Sequence, residues 1–283
     1  MITVVTAVFN LTPYLTSAGI NLPALLVFCF LWGMGGSLIS LALSRKMAKW
    51  SMGVKLIGEH DGSREYQELR QLVHRVARKA GIQKMPQVGV YQADELNAFA
   101  TGPTKNKALV AFSTGLLNNM NYQQIEGVVG HEIAHIKNGD MVTMTLLQGV
   151  VNTFVMFLAR VIAQAVVSQR GGGNNGGSSF FLYWVVVIVL EMVFMLLGSI
   201  IVSGFSRYRE YRADAGGADL VGRESMRSAL VALMETKDYN LSVMSKKGDL
   251  NNFKIFGGTK NILMQLFSTH PPLKDRIERL DGV

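Results

Sequence analysis

The sequence predicts an α+β membrane protein: a mainly helical domain with a small β-sheet, joined to three to four transmembrane helices. Three observations carry this. Of 283 residues, 49% are hydrophobic and 17% charged, against about 25% charged in an ordinary soluble domain. The apolar residues gather in three long runs, each longer than the ~20 residues that cross a bilayer core. Outside the runs, helical spacing and short alternating stretches return. A disordered tail and an acidic solvating segment are excluded. The single cysteine, Cys29, rules out an intrachain disulfide.

At the start of the chain, Ile2–Phe9 is apolar but short, and Asn10, Thr12 and Pro13 break the pattern beyond it. It lacks the basic start of a signal peptide and stays open as a partial span. Leu22–Leu43 is an uncharged run. Met141–Val167 carries only Arg160, and Phe180–Ser203 only Glu191. Each charge is costly within a span; pairing across the hairpin competes with Arg160 snorkelling outward.

Arg45, Lys46 and Lys49 come after the first run, and Arg207, Arg209 and Arg212 after the third, whereas Ser168–Ser179 carries only Arg170. The positive-inside rule therefore puts 44–140 and 204–283 in the cytosol and the connection outside. The expected organisation is an N-terminal membrane region over 1–43, a first cytosolic part over 44–140, a transmembrane hairpin over 141–203 and a second cytosolic part over 204–283. The net charge of +8 forms no dense basic run, so nucleic acid is not an expected partner. Gly171–Gly177 lacks the Lys-Ser/Thr of a phosphate-binding loop and reads as a flexible connection.

Within the cytosolic parts, Ser63–Ala80 has helical apolar spacing with Gly81 as a stop. Val88–Gln92 and Ala108–Phe112 read as strands. Asn121 with Gln124 forms a capping-box start. Arg223–Thr236 and Pro272–Leu280 read as helices, and Lys237–Lys260 as loop-rich.

The helix from Asn121 contains His131-Glu132-Ile133-Ala134-His135. Histidines four apart lie on one face and can share one Zn²⁺. Glu132 projects from a neighbouring angle, where a general base for an attacking water is needed. Asn138 and Met141 stand where a metzincin would have Gly and His, which excludes that class. The third ligand then comes from Glu191, Glu210 or Asp214. Glu191 lies mid-span, too deep. Glu210 as ligand, with Asp214 one turn on to orient a ligand histidine, fits the chemistry of such centres. Against it, Arg209–Arg212 taken alone reads as a solvated helix beside the membrane. His270 precedes Pro271-Pro272; it reads equally as an oxyanion donor or as a turn residue. His74 is read as structural or solvated, and His60 carries no signal. If the helix continues from His135 to Met141, about 8 Å on, the centre lies near the cytosolic membrane surface.

This set resembles a known family. HEIAH, then Arg209-Glu210-x-x-Ala213-Asp214 after a pair of spans, then Thr269-His270-Pro271-Pro272, with Asn97–Gly102 and Gly139-Asp140-Met141, resembles the M48 membrane metallopeptidases and their HtpX-type heat-shock branch. The likeness runs from about Leu22 onward. It implies a gluzincin-type centre with one Zn²⁺ per chain bound by His131, His135 and Glu210, and Glu132 as base. Asp214 would support the centre. Asn97 and Ala98 would sit on an edge strand that pairs with substrate backbone, and His270 with Arg276 would stabilise the oxyanion. The implied job is cleavage of damaged or misassembled membrane proteins, as part of the stress response, at the cytosolic face of the bacterial inner membrane. The implied partners are protein substrates and the lipid bilayer. Members usually have two N-terminal spans, and Ile2–Phe9 is too short for the first. Two alternatives compete: processing of prenylated tails in the CaaX manner, and a catalytically silent zinc-binding membrane adaptor.

Overall fold

The computed structural model describes residues 21–59, 63–169, 176–246 and 268–282. Ile2–Phe9, His60, residues 171–175 of the Gly-rich connection and residues 247–260 of the stretch expected to be loop-rich lie outside these. The described elements are α1 (Leu22–Ser51), β1 (Lys55–Leu56), α2 (Arg64–Lys79), β2 (Gln87–Tyr91), β3 (Ala98–Thr101), β4 (Leu109–Ser113), α3 (Thr114–Asn119), α4 (Tyr122–Asn138), α5 (Asp140–Gln169), α6 (Gly176–Val221), α7 (Arg223–Lys246) and α8 (Leu273–Asp281). They form two compact units. One spans 1–40 and 145–202; the other spans 41–144 and 203–283.

In the first unit, α1, α5 and α6 supply three helical segments long and apolar enough to cross a membrane. Little of them is buried against protein, only 11% of the most apolar stretch of α6. Phe154, Ile188, Met192 and Leu196 point outward, as lipid-facing side chains do. The helices meet through small residues. A Cβ on Gly33 would lie 2.8 Å from the Thr153 backbone nitrogen, and one on Gly149 would lie 2.6 Å from Met34 Sδ. Arg160 Nη1 donates to Glu191 Oε1 at 2.6 Å. The pair is therefore made across the hairpin and the outward-snorkelling alternative is not adopted.

In the second unit, the sheet order is β1-β2-β4-β3. β2 and β4 run parallel, with Val88 opposite Val110, and β3 lies antiparallel on β4, with Ala98 opposite Phe112. β3 is thus an edge strand. Val88, Val90, Val110 and Phe112 pack with Leu72, Val73 and Val76 of α2 and with Val129, Ile133 and Ile136 of α4 in one core. Alternation at Val88–Gln92 and the apolar run Ala108–Phe112 predicted β2 and β4 to within a residue. β1 and α3 are too short to show a period, and sequence reasoning missed them. α7 runs on through Lys237 to Lys246, where a loop was expected: this polar stretch keeps helical geometry.

α4 begins where expected, at the reciprocal Asn121/Gln124 capping box. It stops at Gly139, whose φ of 73° is left-handed and suits glycine. The helix therefore does not continue from His135 into Met141, and the 8 Å rise does not measure the distance between them. α8 is pinned by Ile277 and Leu280 against Met226 and Leu230 of α7. Burying those two residues contributes on the order of 3–6 kcal/mol as an upper estimate.

α4 and α6 approach through glycines. A Cβ on Gly217 would lie 3.1 Å from both Gly130 C and His131 N, and one on Gly130 would lie 2.7 Å from Val221 Cγ2. Such contacts are tight, so a Cβ here requires the neighbouring backbone or the Val221 side chain to give way, and a larger side chain more so. Gly217→Val is expected to destabilise the protein by about 1–3 kcal/mol and to lower its metal content. Thermal unfolding in detergent and metal analysis of the purified protein check this.

Candidate metal centre and active site

Two helices supply the central groups. His131 and His135 sit one turn apart on α4, and Glu210 and Asp214 one turn apart on α6. The glycine seam brings these faces together. His131 Nε2 lies 3.1 Å from His135 Nε2. Glu210 Oε2 lies 3.5 Å from the first and Glu210 Oε1 3.4 Å from the second. Two ligand atoms bound at ~2.0–2.1 Å to a tetrahedral centre stand about 3.3 Å apart. The three donors therefore match the edges of one metal-binding face. Among the described residues, this is the group of histidine and carboxylate donors near enough to share an ion. Glu191 belongs to the other unit and stays with Arg160.

The other ring nitrogens show that a cation suits this face. His131 Nδ1 faces Asp214 Oδ1 at 2.9 Å, and His135 Nδ1 faces Asp140 Oδ2 at 2.7 Å. A neutral ring that donates through Nδ1 leaves Nε2 with only a lone pair. In that form two lone pairs and a carboxylate point at one place and suit a metal ion; without one, a proton on a ring Nε2 bridges to Glu210 instead.

Each aspartate is held in turn by an arginine. Arg276 grips Asp214 with two bonds, Nε to Oδ2 at 2.7 Å and Nη2 to Oδ1 at 2.6 Å. Arg212 Nη2 donates to Asp140 Oδ1 at 2.5 Å. Both aspartates are buried, Asp140 completely. The sequence reasoning named Asp140 only within Gly139-Asp140-Met141 and Arg212 only as a flanking charge, and missed their role here. The available signal was the carboxylate just past the Gly139 stop, where the chain turns back toward His135. The two donors of Arg276 toward Asp214 make it a holder of that residue, and it also lines the cavity beside Glu132 and His270. Its Nη1 lies 3.6 Å from Glu210 Oε2.

Glu210 is 1% exposed. Burial alone raises its pKa, but hydrogen bonds from His131, His135 and His270 outweigh that and hold the carboxyl far below the usual range. His270 Nδ1 is 2.9 Å from Glu210 Oε2, and its side chain remains largely exposed. Asp214 is likewise lowered: burial opposes, and the bonds from Arg276 and His131 prevail. For His131, burial lowers the pKa, but its bonds to Asp214 and Glu210 lift it to about 9. Glu132 goes the other way. It is buried, and burial raises its carboxyl pKa despite the lowering by His131 and His135 and by the Ala100 backbone bond. A raised carboxyl pKa suits a group that takes and returns a proton.

A cavity of about 190 Å³ joins these groups. Its walls include Asn97, Ala98, His131, Glu132, Glu210, His270 and Arg276, with an apolar side made by Leu116, Val128, Leu230 and Leu233. The Asn97 backbone is spent on Ser113, its C=O accepting from the Ser113 N–H at 2.9 Å and its N–H donating to Ser113 Oγ at 3.1 Å. Strand alternation then turns the backbone groups of Ala98 and Ala100 away from β4, and Ala100 meets Glu132 there. Ala98 thus offers an open strand edge beside the centre. His74 sits apart, bonded to the Pro86 carbonyl.

Metal binding should depend on pH. An ion must displace the proton that His131 holds below pH about 9, so apparent affinity should rise about tenfold per pH unit toward that value. Competition titrations between about pH 6 and 9.5, a range that spans the ordinary and raised histidine values, read this. In the metal-free protein, the same raised pKa contributes stability that is full below the ordinary value of 6.5. That contribution fades as pH rises through about 9. Asp140→Ala should weaken metal binding about 10- to 100-fold without removing a ligand, read by the same titration.

The comparisons agree with this geometry. The model of peptidase family M48 matches residues 63–283. A protease HtpX homolog of Bacillus licheniformis is 47% identical over 274 residues, covering 96% of this chain and 89% of that protein. Protease HtpX of Idiomarina loihiensis is 49% identical over 285 residues, covering 98% and 93%. The crystal structure of S. mikatae Ste24p matches with a TM-score of 0.61 at 19% identity, covering 99% of this chain. This chain spans 64% of Ste24p's length, and that likeness concerns the fold. With a family match over most of the chain, three membrane-capable helices and a His-His-Glu face suited to a metal, the chain belongs to peptidase family M48 and is a membrane-embedded metalloprotease.

Proposed function

We propose that this chain is a zinc-dependent endopeptidase that cleaves damaged or misassembled membrane proteins on the cytosolic side of the bacterial inner membrane. The single observation that carries the chemistry is the triangle of His131 Nε2, His135 Nε2 and Glu210 carboxylate, with edges of 3.1–3.5 Å, beside the Glu132 carboxyl. Two histidines and a carboxylate with room for a fourth partner suit a hydrolytic zinc centre. The cytosolic orientation rests on the basic residues Arg45, Lys46, Arg207, Arg209 and Arg212 next to the spans.

When bound, zinc would acidify water and polarise the scissile carbonyl. The chain supplies the rest. Ala98 presents its backbone at the edge of β3, where an extended substrate can add as a strand. The Asn97 side chain lines the same cavity. Glu132 takes a proton from the attacking water and returns it to the leaving amine. Its burial suits both steps, because the raised pKa brings the two protonation states closer in energy. His270 lines the cavity, where its ring N–H can donate to the developing oxyanion in place of Glu210. Its Nδ1 contact with Glu210 fixes where the ring stands. Arg276 acts through Asp214 on the His131 ring.

Glu132→Gln is expected to retain zinc and to lower cleavage of casein in detergent by at least about 100-fold. Zinc content and casein turnover measured on one preparation decide it; turnover near the wild-type rate would remove Glu132 from the mechanism. A prenylated C-terminal peptide cleaved well ahead of casein would favour the CaaX-type alternative.

A further inference from the structure

A second cavity lies among the membrane-spanning segments. It measures about 600 Å³ and is bordered by α1, α5 and α6. A bilayer core offers no water to polar groups, so walls facing it should be apolar. These walls are not. Ser37 and Ser40 come from α1; Gln148, Asn152 and Arg160 lie on one face of α5; Glu191 comes from α6.

The polar groups partly satisfy one another. Gln148 Nε2 donates to Asn152 Oδ1 at 2.8 Å. Arg160 Nη1 donates to Glu191 Oε1 at 2.6 Å and to the Met156 carbonyl at 2.9 Å. Ser37 donates to the Gly33 carbonyl at 3.1 Å. A carboxamide has two donors and two lone pairs, and a guanidinium five donors. Among the described residues, the Gln148 carbonyl, the Asn152 amino group and the second Glu191 oxygen keep capacity to spare. In hydrocarbon such capacity calls for a polar partner.

The remaining wall says what kind. Trp32, Val155, Met156 and Met195 are apolar, and Trp32 and Met195 are also exposed. Lipid tails answer only the apolar part, and water only the polar part. An occupant that answers both is a helix of ordinary apolar surface carrying one polar side chain. On the α1 side, a Cβ at Gly36 would meet nothing within 4 Å, so no side chain there holds such a helix off.

We propose that this groove receives a transmembrane segment of the substrate and selects segments that carry an unpaired polar residue such as Asn, Gln or Ser. A properly assembled membrane protein buries that residue against its own helices. A misassembled one leaves it facing lipid, where the groove can read it. The proposal rests on the peptidase reading above and adds the feature of the substrate that marks it for cleavage.

The test uses the full-length protein in liposomes with two single-span substrates that share one cleavable tail. One span is Leu/Ala throughout, and the other carries a central Asn. One interhelical hydrogen bond should make the Asn substrate turn over about three- to tenfold faster. Replacing Gln148 and Asn152 together by Leu should abolish that preference and leave casein cleavage unchanged. A preference that survives the double replacement, or none in the wild type, overturns the proposal. A photoreactive residue in place of Ser40, on a Glu132→Gln background, separates this from failure of the peptidase reading. Crosslinks to the Asn span over the Leu span support the groove even if casein is not cleaved. Equal crosslinking of both spans, or of lipid alone, refutes it.

Discussion

The centre depends on how near α6 can come to α4. Gly130 and Gly217 let the two backbones approach to a separation at which even a methyl group on either would be crowded. At that separation, donors from two helices converge on one metal-sized space. Neither helix could form the centre alone. Two histidines one turn apart offer two donors, and a carboxylate on a separate helix supplies the third. A small shift of one helix would lengthen two edges of the triangle together.

Around that contact, charge is arranged in two parallel chains. His131 leads to Asp214 and Arg276; His135 leads to Asp140 and Arg212. Each arginine offsets the aspartate that turns an imidazole toward the shared space. Burying several carboxylates together is unfavourable unless each finds a partner. The two aspartates find theirs in guanidiniums. Glu210 relies on histidines and on the ion it is placed to hold, and Glu132 is shifted toward its neutral form by burial. The same electrostatic scheme therefore keeps one carboxyl charged and its neighbour ready to accept a proton.

What could be read from sequence was what has a local signature. The capping box at Asn121, the stop at Gly81, the His131/His135 spacing and the span lengths all depend on residues within a few turns of one another. The candidate ligand Glu210 was reachable because its partner Asp214 is one turn away. Asp140 entered only within the Gly139-Asp140-Met141 likeness; its bond to His135 depends on the left-handed turn at Gly139, which periodicity does not encode. The Arg276–Asp214 grip joins residues 62 positions apart, and only tertiary packing reveals it. β1 and α3 span too few residues for a pattern to repeat. The glycines of α4 and α6 read in the sequence as weak helix formers; their value lies in what they leave out.

The order of these groups along the chain also governs when the centre can exist. His131 and His135 leave the ribosome before α5 and α6, and Glu210 only in the later part of α6. The guanidinium that steadies Asp214 emerges 62 residues later. At about 5–20 residues per second, that gap lasts roughly 3–12 s. A nascent chain threading its own hydrophobic hairpin into the bilayer thus carries an unfinished centre. Its full set of donors and supports exists only once the last described helix, α8, has been made.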